Sequence, residues 1–296
     1  MTWRIGFSTG AFYEHPILSV LPPIRQAGFQ YIEVCSSKTH LDCHDQVAVY
    51  RLKETLDKLG LRVFSLHAPF GSHIDVASLD EDARATAVEE TQAAAQVLHA
   101  LNGEVLVVHP AGESPPRDRD RMGLLGQSLK SLQSIQAYCA QLGLELAIET
   151  MLPHLLGGRT KEILWLAERL PDTGVGFCLD TGHTHLGKCL EESLAQLGSR
   201  LLLLHVHDNA GEHDDHLPPG QGEIDWDSCI SALLRERFSG ALILETIGSG
   251  SLEEHLRQAW ASVFLLQAPA KAIDLVTQPS PPAPGRCAGH EPKERS

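Results

Sequence analysis

Short apolar runs in this chain repeatedly end in a side chain that can bind a metal ion. V-F-S-L-H closes on His67, V-L-V-V-H on His109, L-A-I-E on Glu149, F-C-L-D on Asp180, L-L-L-L-H on His205 and L-I-L-E on Glu245. These runs belong to a longer series: Arg4–Ser8, Tyr31–Cys35, Arg62–His67, Glu104–His109, Glu145–Glu149, Gly176–Asp180, Leu201–His205 and Ala241–Glu245. Such short, nearly continuous apolar stretches are expected of parallel strands covered on both faces. Helix-period segments separate them. One spans 47–59 with Val49, Leu52, Leu56 and Leu59 apolar; another, 124–142, carries Leu125, Leu129, Leu132, Ile135 and Cys139. Residues 83–101 are alanine-rich, and 161–170, 191–197, 227–237 and 252–266 complete the set. Gly28, Gly60, Gly143 and Gly240 stand where a helix should stop before the next strand, the usual C-cap signal.

The alternation predicts a single (β/α)8 barrel of the α/β class over residues 1–268, close to the usual size of about 250 residues for that fold. A doubly wound open sheet is the alternative, but it would not bring all the strand ends to one mouth. In a barrel, chemistry sits at the C-terminal ends of the strands. The side chains that close the runs would therefore meet there. Histidines and carboxylates are costly to bury without a partner. A divalent metal ion at the shared mouth accounts for them.

Residues 269–296 differ in composition. Proline and polar residues dominate, as in T-Q-P-S-P-P-A-P-G, and predict a disordered tail. The net charge of −14 argues against broad binding to nucleic acid or to an anionic membrane. The 7 cysteines form no C-x-x-C pair and no visible disulfide framework. M-T-W-R-I-G-F starts as a strand with no leader-like pattern, and no apolar run reaches the ~18 residues of a membrane span. The expected location is a reducing cytoplasm.

Further candidates flank the strand ends. C-L-D-T-G-H places His183 after Asp180, and the segment from His205 to Trp226 offers His207, Asp208, His213, Asp214, Asp215 and His216. Gly157-Gly158-Arg159 could hold a phosphate through backbone N–H groups and Arg159, or be an ordinary loop before a helix. His40 and His44 follow the second run and could touch substrate or solvent. Glu33 lies inside that run, as a site residue or as a paired interior charge.

Several of these segments together resemble the xylose isomerase-like barrel superfamily, which includes sugar phosphate isomerases/epimerases and the endonuclease IV family. They are H-A-P-F at 67–70, V-V-H-P-A-G at 107–112, A-I-E-T at 147–150, C-L-D-T-G-H at 178–183, H-V-H-D-N at 205–209, D-D-H-L-P-P-G-Q-G at 214–222 and L-I-L-E-T at 242–246. The resemblance spans most of the barrel. It implies one divalent metal on Glu149, Asp180, His205 and Glu245 if the chain is like the epimerases. If it is like the endonucleases, it implies three zinc ions that also use His67, His109, His183, Asp214 and His216.

Three carboxylates and a histidine suit Mn2+, Zn2+, Mg2+ or Co2+. The leading expectation is a metal-dependent sugar or sugar-phosphate isomerase/epimerase acting by proton transfer next to a metal-bound carbonyl. Glu149 and Glu245 would be the catalytic pair, with His183, His67 and Arg159 binding substrate. The alternative is a zinc-dependent phosphoesterase or abasic-site endonuclease, which the full ligand set suits. Lyase chemistry on cyclic polyols and a non-catalytic metal protein are also open. The acidic charge and the short, non-basic early loops favour a small-molecule sugar over nucleic acid. Relatives of this kind are commonly dimers, so a homodimer is the assembly to look for.

Overall fold

A computed structural model describes residues 3–71, 73–248 and 250–273. Eight parallel strands close into a barrel in chain order. They are β1 (Arg4–Ser8), β2 (Tyr31–Cys35), β3 (Arg62–His67), β4 (Val105–Val108), β5 (Glu145–Glu149), β6 (Val175–Asp180), β7 (Leu201–Val206) and β8 (Ala241–Leu244). The helices are α1 (Ile17–Ala27), α2 (Gln46–Leu59), α3 (Glu81–Ala100), α4 (Arg121–Leu142), α5 (Thr160–Ala167), α6 (Thr181–Leu186), α7 (Leu190–Leu197), α8 (Trp226–Arg235) and α9 (Leu252–Ile273). The barrel expected from the sequence is present, with its boundaries shifted in places. β4 and β8 end one residue before His109 and Glu245, which stand just past the last strand residue. Helix α9 runs to Ile273, into the segment expected as a tail; residues 274–296 of that segment lie outside the described residues.

Side-chain alternation sorts these runs into two cores. Leu106, Leu146, Ile148, Phe177, Leu179, Leu204, Leu242 and Leu244 join the main core. Val105, Val107, Ala147, Cys178, Leu203, Ala241 and Ile243 form a separate small cluster. Successive strand side chains point to opposite faces. A residue two positions beyond a member of the small cluster therefore faces the same way. That rule carries His109 after Val107, Glu149 after Ala147, Asp180 after Cys178, His205 after Leu203 and Glu245 after Ile243.

Gly60 and Gly143 close α2 and α4 in the left-handed conformation, and Gly28 caps α1 at φ 121°. Gly240 is different. Helix α8 has already stopped at Glu236, and a Cβ on Gly240 would lie 1.9 Å from the Leu202 carbonyl oxygen. It serves the close approach of β7 and β8 rather than a helix cap. Among the described residues no helix is long and apolar enough to cross a membrane.

A buried ion pair ties the loop after β5 to the helix layer. The Arg121 side chain donates to Glu162 and, at 2.6 Å, to the Leu155 carbonyl. Glu162 Oε2 also accepts from Gly157 N–H at 2.9 Å. The 157–159 turn is therefore held by an internal carboxylate. Removing one partner of a buried pair costs about 3–5 kcal/mol. Glu162→Ala should lower stability by that order in chemical denaturation, and an unchanged unfolding midpoint would contradict the role given to this pair.

Candidate metal centre and active-site mouth

The expected ligands converge at the C-terminal end of the barrel. Glu149 is the hub. Its Oε2 lies 3.0 Å from His67 Nε2 and 3.4 Å from His109 Nε2, and its Oε1 lies 3.3 Å from His205 Nδ1. His205 Nδ1 is also 3.2 Å from Glu245 Oε2. Ligand atoms of Glu149, Asp180, His205 and Glu245 all lie within 4.8 Å of one another. Glu149 is 2% exposed, Asp180 and His205 not at all.

A second group stands beside this one. Asp214 Oδ2 is 3.3 Å from His183 Nε2 and 3.2 Å from His216 Nε2. The loop that brings Asp214 and His216 in is anchored by a buried carboxylate. Asp208 accepts from the N–H groups of Gly220 and Ile224 and from Trp226 Nε1. A Cβ on Gly222 would come within 2.3 Å of Asp208 Oδ1, so this position needs glycine. Pairing of Asp208 with Leu217 closes the loop, and His216 sits at φ 48° with Nδ1 2.6 Å from the Glu245 carbonyl.

His207, a candidate in the segment after β7 but outside both ligand sets implied by the resemblance, meets both oxygens of Asp180 through Nε2 at 2.9 and 3.0 Å. Its ring stacks on His216 with centroids 3.9 Å apart. The signal was in H-V-H, where positions 205 and 207 share a face at strand period two. Glu33, left open by the sequence, is fully buried below the cluster and hydrogen-bonded to Ser8, Ser65 and His205.

Arg159 is not brought to the mouth. It pairs with Asp118 at 2.6 Å on the partly exposed outside of the loop. His44 is exposed and pairs with Glu90, while buried His40 meets the His15 carbonyl at 2.6 Å. The cavity at the cluster has a volume of about 230 Å³, with Tyr13, Phe70, Met151, Leu152, Leu155 and Ile247 among its lining residues. Among the described residues no lysine or arginine lines it.

The residues present fit a divalent ion. His205 Nδ1, His109 Nδ1, His207 Nδ1 and Asp214 Oδ1 are buried without a hydrogen-bond partner. The pKa shifts of the surrounding groups follow from the same excess of negative charge. Burial pulls the His67 imidazole down, but the hydrogen bond and charge of Glu149 push it up to about 9. Burial also opposes charge on His183 and His216, yet Asp180 and Asp214 push His183 up to about 10, and Asp214 and Glu245 push His216 up to about 9. Burial alone would raise Glu149, but His205 and His109 hold it well below the usual carboxylate range. Crowded buried carboxylates draw positive charge, and a divalent ion is often the largest local charge that can supply it.

The xylose isomerase-like TIM barrel family model matches residues 22–265. An uncharacterized protein of Methanocaldococcus jannaschii is 26% identical over 82% of this chain and 83% of its own length. A probable endonuclease 4 of Mycobacterium tuberculosis is 33% identical over 34% of this chain and 42% of its own length. Among solved structures, a D-tagatose 3-epimerase-like protein superposes with a TM-score of 0.80 at 23% identity, covering 93% of this chain and 100% of the other. The IolI protein with a bound zinc atom has a TM-score of 0.78 at 18% identity, covering 90% and 98%.

Chelator-treated protein should gain thermal stability when Zn2+ or Mn2+ is restored. At an ion concentration 100-fold above Kd the gain is about 2.7 kcal/mol, or roughly 5–10 °C for a domain of this size. A midpoint unmoved by any of the four candidate ions would count against the centre.

Proposed function

We propose that this chain, which belongs to the xylose isomerase-like TIM barrel family, is a divalent-metal-dependent isomerase or epimerase of a sugar or sugar derivative. The observation that carries this reading is the convergence of Glu149 and Glu245 on His205 Nδ1, at 3.3 and 3.2 Å, at a cavity lined by both ionisable and apolar side chains. Glu149, Asp180, His205 and Glu245 would hold the ion. When bound it supplies Lewis-acid polarisation of a carbonyl, which acidifies the neighbouring C–H. The xylose isomerase-like family and the fold shared with a D-tagatose 3-epimerase-like protein support this reading.

The chain's own residues supply the rest. Glu149 is ionised, because its histidine neighbours outweigh the effect of burial, so it can accept a proton. One of Glu149 and Glu245 takes the proton from the carbon beside the carbonyl. The other holds a proton and returns it to the same carbon or its neighbour. Return to the opposite face of the same carbon is epimerisation; return to the neighbouring carbon, with the hydroxyl proton passing to the former carbonyl oxygen, is isomerisation. His67 and His183 line the cavity and can bind substrate hydroxyls. The apolar lining residues, Phe70, Leu155 and Ile247 among them, would limit water around the reacting carbon. Arg159 has no part in this, being paired with Asp118.

A second reading has a specific observation behind it. His67, His109 and Glu149 form another potential metal group, and His207, Asp214 and His216 a third. Such a set could hold three ions and hydrolyse a phosphoester. The acidic net charge of −14 and the absence of lysine or arginine among the described lining residues weigh against a polyanionic substrate.

A panel of ketoses, ketosides and their phosphates in deuterated water tests the proposal. We expect solvent deuterium at the carbon beside the carbonyl. Glu149→Gln and Glu245→Gln should each reduce turnover about 10²-fold or more, the scale of lost general-base catalysis. Near-normal turnover in either variant would remove that residue from the mechanism. Incision of an abasic-site duplex with three zinc ions per chain, and no exchange on any sugar, would replace this reading with the second.

A further inference from the structure

We infer that Glu33 is a positioning residue for the metal centre: it fixes the tautomer and orientation of His205 so that Nδ1 is presented to Glu149 and Glu245. The inference rests on the metal centre of the proposed function but not on the reaction assigned to it.

Glu33 lies on β2, one layer below the cluster, with no exposed surface. Each of its oxygens has a defined partner. Oε1 accepts from Ser8 Oγ at 3.1 Å, and Oε2 accepts from Ser65 Oγ at 2.8 Å. Both serines come from the flanking strands, where Ser8 and Ser65 pair in register with Glu33. The remaining contact crosses the barrel. His205, on β7, meets Glu33 Oε2 through Nε2 at 3.2 Å.

This contact selects one form of the imidazole. An ionised Glu33 only accepts, so the hydrogen of this contact is on Nε2, which donates it to Oε2. In the neutral ring the lone pair is then on Nδ1. That atom is buried, has no hydrogen-bond partner and faces two carboxylate oxygens, 3.3 Å away on Glu149 and 3.2 Å away on Glu245. Two carboxylates facing Nδ1 call for positive charge between them: a proton on Nδ1 in the metal-free protein, or a metal ion in its place. Glu33 holds the ring there. A histidine ligand commonly depends on such a partner on its other ring nitrogen, and losing it costs about 10–100-fold in metal affinity.

A purely structural Glu33 would affect folding and leave the folded site's affinity unchanged. The distinguishing variant is Glu33→Gln, which keeps the volume but replaces the carboxylate by an amide that accepts more weakly and can turn its NH2 toward His205. We expect its Zn2+ dissociation constant, from chelator competition on protein verified as folded by circular dichroism, to rise about 10-fold or more. Ser65→Ala removes a hydroxyl from the same oxygen without touching His205 and should stay within a few-fold of the parent. Long-range 1H–15N spectra of the metal-free parent should show His205 protonated on Nε2, and this measurement needs no variant to fold. Zinc affinity unchanged in Glu33→Gln, or His205 protonated on Nδ1 alone in the parent, would overturn the inference. No substrate enters either measurement, so a chain inactive on every sugar would sink the proposed reaction while leaving this result standing.

Discussion

Burial of carboxylate charge at one end of the barrel is the constraint around which the site is organised. Glu33, Glu149 and Asp180 have almost no exposed surface. Charges so placed are costly unless paired or coordinated. The chain answers with imidazoles at strand ends and loops: His67 and His109 on Glu149, His205 on Glu33, and His207 on Asp180. Even so, His205 Nδ1 and Asp214 Oδ1 remain without partners. The protein side chains alone leave the cluster incompletely satisfied, and a cation is the group that would complete it.

The same constraint explains the surroundings. Strand alternation puts small or apolar residues such as Ala147, Cys178 and Leu203 one layer down and the ionisable groups above them. The Asp208 anchor folds the 207–224 segment over this end and carries Asp214 and His216 in. Arg121 and Glu162 do comparable work for the loop after β5. Each loop is fixed by a carboxylate that faces protein, which leaves the mouth carboxylates facing the cavity.

Much of this was legible in the sequence because strand chemistry is local. Continuous apolar runs mark buried parallel strands, and period two decides which end residue turns inward. Boundaries were less legible. His109 and Glu245 keep the inward direction although the hydrogen-bonded strands stop just before them. Residues whose role depends on distant partners were hardest to read. Nothing near Arg159 announces that Asp118 will claim its guanidinium. Glu33 could not be assigned because its partners Ser8, Ser65 and His205 lie on three other strands. Gly240 looked like a helix cap because a glycine before a strand fits that signal as well as it fits a close strand approach.

On the proposed reading Glu149, Asp180, His205 and Glu245 share one divalent ion. Anomalous diffraction at the zinc edge, on crystals of chelator-treated protein reloaded with one equivalent of Zn2+, tests it directly. The account expects a single dominant peak about 2.0–2.2 Å from an oxygen of each carboxylate and from His205 Nδ1. A dominant peak elsewhere, or reloaded crystals with no peak among these four side chains, would contradict it.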